Sequence, residues 1–184
     1  MKETFEVIEW MKRDGIIEEY AIAGAVGALF YVEPVSTEDV DILVNLNPTQ
    51  NSFLVSFEPI FSYLHEKGYN NLTQEGVEIA GWPVQFLPVS DSLTSEALAE
   101  AQYLPYDDEL SVRVVRPEYL AAEATKLGRL KDIQRIGSLL EIDEFDNDRF
   151  RQIIQKHDLA ERWNRVQDMI DPESEDPRGP TIRL

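Results

Sequence analysis

The sequence predicts an α+β fold, and three observations carry that prediction. Short apolar runs bounded by Gly and Pro alternate with helical spacings as far as Val115. From Pro117 to about residue 170 the apolar period is helical throughout. The chain has 184 residues, 43% of them hydrophobic, which is enough to bury one core with a helical appendage.

The elements follow in order. Residues 2 to 13 set Phe5, Ile8, Glu9 and Lys12 at helical spacing, with Gly15 just past the end as a stop. Residues 20 to 23 form a short buried strand. Residues 24 to 31 (GAVGALFY) are small and then apolar, a helix packed tightly on its neighbours. After the break at Glu33-Pro34, residues 37 to 46 (TEDVDILVNL) make a strand that alternates acid with apolar before turning apolar. An amphipathic helix over 52 to 67 is closed by Gly68. Strands over 77 to 79 and 83 to 87 flank Ala80-Gly81-Trp82 and suggest a hairpin turning at Gly81-Trp82. A helix over 94 to 102 and a strand over 111 to 115 complete the mixed sheet region. Helices then span 117 to 127, 130 to 141, 147 to 156 and 158 to 170. The last stretch, DPESEDPRGPTIRL, has three prolines and no apolar period, so it is expected to be disordered. The organisation read here is an α/β core over 1–115, a helical region over 116–170 and a tail over 171–184.

Composition removes several classes of function. With no cysteine, disulfide scaffolds, thiolate catalysis and Cys-based zinc sites are excluded. Two histidines, His65 and His157, do not make a His-rich metal centre, and neither has a neighbouring Ser or Asp in the sequence that suggests a triad. No apolar run approaches the roughly 18 residues of a membrane span. The opening MKETFEVIEWMKRDG carries acid where a signal peptide has base, so a soluble cytoplasmic protein is expected. Thirty-five acids against 17 bases give a net charge of -18. Such a surface repels a phosphate backbone and makes nucleic acid a poor partner. It suits hard cations such as Mg²⁺, and it also simply keeps a protein soluble.

The most informative segment is Thr37-Glu38-Asp39-Val40-Asp41-Ile42. Residues two apart on a strand share a face, so Asp39 and Asp41 project together while Val40 and Ile42 turn to the core. Paired carboxylates repel unless protonated or bridged by a cation, and oxygen donors favour Mg²⁺ or Mn²⁺. A solvated acidic edge that blunts strand pairing is the other reading. Upstream, Ala23-Gly24-Ala25 follows a strand and opens a helix. Small residues there let backbone N–H groups approach a phosphate, or they serve tight strand–helix packing.

Taken together, Gly24-Ala25, then 13 residues (Val26 to Glu38), then Asp39-Val40-Asp41 with Thr37 two before the first acid, resemble the nucleotidyltransferase superfamily with the DNA polymerase β-like fold. A second match lies downstream, at Pro117-Glu118-Tyr119-Leu120 followed by Lys126-Leu127-Gly128-Arg129-Leu130-Lys131-Asp132. It is similar to the helices that follow the core in the minimal bacterial branch containing AbiEii-type toxins. The resemblance spans roughly residues 16 to 140 and implies a nucleotidyltransferase-like mixed sheet with flanking helices. It also implies metal-dependent transfer of NMP from an NTP. Asp39 and Asp41 would hold Mg²⁺ or Mn²⁺; Gly24, Ala25 and Thr37 would lie at the nucleotide, and Lys126 and Arg129, read as sharing a helix face, at the triphosphate.

Three positions depart from the family pattern. The glycine pair is reduced to Gly24 beside alanine, and Val35 stands where the family commonly has Arg. The third departure is Val84-Gln85-Phe86-Leu87-Pro88, where Gln85 occupies the place of the family's third carboxylate. Glutamine is neutral and cannot act as a base. If the hairpin pairs Glu78 with Gln85, Glu78 supplies the missing acid from the neighbouring strand. Trp82, at the hairpin tip, is either a base-stacking aromatic or an exposed turn residue.

Two functions follow. One is an enzyme with an unknown acceptor, a protein or small molecule rather than nucleic acid, related to the toxin half of a toxin–antitoxin pair and partnered by an antitoxin-like protein. The other is a nucleotide- or partner-binding module of the same fold, degenerate at Gln85.

Overall fold

The computed structural model describes residues 1–33, 37–46, 56–74 and 76–170. The expected tail over 171–184, the Pro34 to Ser36 segment and the first residues of the expected helix from 52 lie outside them.

Among the described residues fourteen elements follow one another, all but β5 suggested by the sequence: α1 (Lys2–Arg13), β1 (Glu19–Ile22), α2 (Gly24–Ala28), β2 (Val40–Asn45), α3 (Glu58–Glu66), β3 (Val77–Ile79), β4 (Trp82–Pro88), α4 (Ser92–Ala99), β5 (Gln102–Pro105), β6 (Ser111–Val114), α5 (Pro117–Leu127), α6 (Leu130–Leu140), α7 (Asn147–Lys156) and α8 (Ala160–Ile170). The six strands form one mixed sheet in the order β3-β4-β2-β1-β6-β5. β1 runs antiparallel to β2, and β4 runs parallel to β2.

Strand alternation sorts the sheet into two faces. Val40, Ile42 and Val44 join Tyr20, Ile22 and Val84 in a cluster closed by Phe5, Ile8 and Met11 of α1 and by Ile60 and Leu64 of α3. Ala21 and Leu43 point the other way, into a cluster built from α4 to α8, with Phe150 and Trp163 in edge-on contact 4.9 Å apart. Asp41 shares the face of Leu43, so the acid pair opens on the side covered by the C-terminal helices.

The helical region is tied in by buried polar groups. Glu118, 2% exposed, accepts the Asp146 N–H at 3.0 Å and so fixes the start of α7 to α5. Gly128, at φ 65°, ends α5 in the left-handed conformation that glycine adopts without strain.

Four local readings are corrected. Helix 94 to 102 becomes α4 over Ser92–Ala99, capped by Asp91, whose side chain accepts the Thr94 N–H. Gln102 instead begins β5, an edge strand ending on a proline and alternating half-buried with exposed, which reads as a loop in sequence. The hairpin turns at Ala80-Gly81, both at positive φ (51° and 84°), not at Gly81-Trp82. Positive φ at both central positions is the type I′ requirement, and Ala-Gly meets it with one small residue and one unstrained one, where Gly-Trp would force a bulky aromatic into it. Trp82 therefore leaves the turn and packs half-buried against the core as the first residue of β4.

Candidate active site

β1 ends at Ile22 opposite Ile42, and the chain turns straight into α2. The Ala23 N–H donates to the Asp41 carbonyl at 2.9 Å, which locks this turn onto β2. Gly24 then adopts φ +56°, and a Cβ placed on it would lie 1.9 Å from Asp41 Oδ2 and 2.8 Å from Asp41 Cγ. The Asp41 carboxylate thus lies over a bare stretch of backbone at the first residue of α2. Gly27 serves the packing role instead: a Cβ there would meet the Ile22 carbonyl oxygen at 2.9 Å.

Asp39 lies immediately before β2 and not within it, and Thr37 Oγ1 donates to its carbonyl at 2.9 Å. The Thr37 hydroxyl therefore braces the entry to the acid pair. Burial pushes the Asp41 carboxyl above the ordinary carboxylate range, and the Asp39 charge pushes it further. Arg135, Arg129 and Lys131 oppose both effects, so three cations of one helical segment lie near enough to act on Asp41.

That segment is α6 with its N-cap residue Arg129. Asp132, fully buried, accepts from Arg129 Nε at 2.6 Å and from Arg135 Nη1 at 3.5 Å. The three residues lie at i, i+3 and i+6, so a single buried carboxylate holds two guanidinium groups on one helix face. Arg135 was not singled out in the sequence, although the spacing around Asp132 carries its signal. Its Nε is buried without a hydrogen-bond partner among the described residues.

The parallel register pairs Asp41 with Gln85 and Val40 with Val84. Gln85 is half-buried on the strand beside the acid, as its position in the family pattern implies. Glu78 is not brought there. β3 pairs Glu78 with Pro83, not Gln85, because the hairpin turns one residue earlier than expected. Its carboxylate accepts from Asn71 Nδ2 at 2.7 Å on the edge strand, two strands away from Asp41. The shared helix face expected of Lys126 and Arg129 is not formed. Gly128 breaks the helix between the two, and Lys126 Nζ pairs with Asp91 Oδ2 at 2.5 Å. Ala25 follows Gly24 in the first turn of α2.

Among the described residues no group of three or more Asp, Glu or His side chains is placed to hold a metal ion. Asp39 and Asp41 offer two hard oxygen donors. Among the described residues no helix is long and apolar enough to cross a membrane.

Solved structures share this fold. An antigenic nucleotidyltransferase-like protein from Paracoccidioides brasiliensis superposes with a TM-score of 0.50 at 16% identity, over 87% of this chain and 90% of that one. ANT(2")-Ia in complex with adenylyl-2"-tobramycin gives a TM-score of 0.51 at 12% identity, over 89% of this chain and 99% of that one. The fold is a nucleotidyltransferase fold. No protein-family model and no curated protein matches the sequence. On this fold the turn at Gly24, Asp41 of β2 and Gln85 of β4 lie side by side, and the cations of the α6 segment act on Asp41.

Proposed function

We propose that this chain transfers a nucleoside monophosphate from a nucleoside triphosphate to an acceptor, with a divalent cation held by Asp39 and Asp41. The close approach of Gly24 to the Asp41 carboxylate carries the reading. It brings the bare backbone that opens α2 against the acid, where the charges of α6 also act.

Two carboxylates fit a hard cation that completes its shell with water and phosphate oxygens, as Mg²⁺ or Mn²⁺ does. When bound, that cation polarises the phosphoryl oxygens and offsets their charge. The residues of the chain do the rest. Gly24 and Ala25 present backbone to the phosphates, and Arg129 and Arg135, braced by Asp132, face the charge that develops on the leaving group. An acceptor hydroxyl oxygen bonds to the α-phosphorus, the bond to the bridging oxygen breaks, pyrophosphate departs, and the hydroxyl proton passes to solvent. No acid beside Asp41 on β4 is available to take the acceptor proton, because Gln85 stands there.

The net charge of -18 favours a protein or small molecule as acceptor over nucleic acid. The adenylyl-2"-tobramycin bound to ANT(2")-Ia is a small-molecule case on this fold. The motif at Lys126 to Asp132 supports kinship with the AbiEii-type bacterial branch, and with it an antitoxin-like protein partner. Gln85 favours a second reading, in which the site binds a nucleotide and transfers nothing.

Calorimetry with ATP, GTP, CTP and UTP, each with and without Mg²⁺ or Mn²⁺, tests the proposal on the wild type and on D39N/D41N. Metal-dependent binding lost in the double variant is expected. Absence of binding in the wild type would overturn both readings of the nucleotide site.

A further inference from the structure

Away from the nucleotide site, Ser92, His157 and Glu96 form a chain of hydrogen bonds at a cavity of about 320 Å³. The chain joins α4 to the end of α7 and is 61 to 65 residues apart in sequence, so no sequence motif announces it. His157 Nδ1 lies 3.1 Å from Ser92 Oγ, and His157 Nε2 lies 2.7 Å from Glu96 Oε2. The His157 side chain is 4% exposed, whereas Ser92 lines the cavity and is open to solvent.

The chemistry of the three groups fixes their roles. Lys156 and His157 beside Glu96 hold its carboxyl below the usual range, so it is an acceptor only. It therefore places the imidazole proton on Nε2 and leaves the Nδ1 lone pair facing the Ser92 hydroxyl. That is the arrangement of nucleophile, base and orienting acid that activates a serine. The Asp91 side chain takes the N–H of Thr94 and its carbonyl takes that of Ser95. The N–H groups of Ser92 and Leu93 then remain for a developing oxyanion at the first turn of α4.

We propose that Ser92, His157 and Glu96 constitute a second active centre, a serine nucleophile that hydrolyses small acyl esters in the cavity bordered by Lys126 and Leu159. Ser92 Oγ bonds to the ester carbonyl carbon while its proton passes to His157 Nδ1. The carbon–alkoxy bond breaks, and the alkoxide takes that proton and leaves as an alcohol. Water, deprotonated in turn by His157, attacks the acyl-serine, and the carboxylic acid departs as Ser92 regains its proton. Glu96 is a positioning residue. The proposal is independent of the nucleotide site.

The intact chain, with EDTA present, is treated with an alkyl fluorophosphonate and, separately, with p-nitrophenyl acetate. A single adduct on Ser92 by peptide mass mapping and a burst of p-nitrophenol are expected, both absent from S92A. E96Q is expected to slow labelling about 10²-fold with its melting temperature retained. No adduct, an adduct elsewhere, or E96Q labelled at the wild-type rate would overturn the proposal and leave the chain of bonds as a tie between helices. Should E96Q unfold, the comparison of wild type with S92A decides alone.

Discussion

Gly24 has no room for a side chain because the Asp41 carboxylate stands where its Cβ would be, 1.9 Å from Oδ2. The two residues come from the turn after β1 and from β2, and the hydrogen bond from the Ala23 N–H to the Asp41 carbonyl holds the strands in that register. Neither partner can retreat alone: the acid is fixed by strand pairing, and the glycine by its φ of +56°.

G24A is therefore expected to damage both stability and the site. An alanine in the left-handed region costs about 1–2 kcal/mol before any clash. For a chain of this size that lowers the melting temperature by roughly 2–4 °C per kcal/mol. The displaced Asp41 side chain should also abolish metal-dependent NTP binding. Thermal melts and calorimetry on one sample check the two effects together. G27A is expected to lower stability through contact with the Ile22 carbonyl while NTP binding persists.

Asp41 carries a pH signature of its own. Burial, with Asp39 beside it, raises its carboxyl above the ordinary aspartate value of 3.8. The folded state therefore binds this proton more readily than the unfolded chain. The stability it contributes is fully present below 3.8 and is lost as pH rises through the raised value. D41N removes the titration, and it should stabilise the metal-free protein by about 0.5–2 kcal/mol at neutral pH while destroying cation binding. Urea unfolding of wild type and D41N across pH 3 to 7 gives the difference curve. A gap that stays constant over that range would contradict the assignment.

Much of this architecture is legible in the sequence, and the limits have physical causes. The acids at 39 and 41, Gly24 after a strand, and helices α5 and α6 parted at Gly128 are all written in local spacing. The hairpin register is not, because it hangs on whether Ala80 or Trp82 enters the turn, a choice decided by strain at one residue. β5 escapes because an edge strand with a proline needs no apolar alternation. The guanidinium of Arg135 at the acids and the Ser92–His157 contact are tertiary events between distant segments. The shared face of Lys126 and Arg129 misleads for the opposite reason: the motif spacing is clear, but Gly128 ends the helix between them, and Lys126 pairs with Asp91.

Asp132 is expected to be the most sensitive position of the basic helix. It is fully buried and joins the 11%-exposed Arg135 side chain to the more open Arg129. Removing one partner of a buried pair leaves an uncompensated charge and costs roughly 3–5 kcal/mol. D132N keeps the shape and loses the charge, so it should lower the urea midpoint and weaken NTP affinity together. R129Q, at a largely exposed side chain, should weaken NTP binding with little change in the midpoint.

Gln85 decides between transfer and binding alone. It pairs with Asp41 on the adjacent parallel strand, so its side chain occupies the position from which a third acid would reach the same cation. Q85E places that acid without altering side-chain size. A third carboxylate beside two others raises the affinity for Mn²⁺ and lowers the stability of the metal-free chain through repulsion. It also supplies a proton acceptor, an effect of about 10²- to 10⁴-fold on the chemical step. Pyrophosphate release from NTP, measured with Mn²⁺ in wild type and Q85E, separates the cases. Slow release by the wild type that Q85E accelerates identifies a weakened enzyme. Release by Q85E alone identifies a binding module that one substitution returns to chemistry. Tighter Mn²⁺ binding in Q85E with release in neither protein would place the defect at the acceptor, away from the acids.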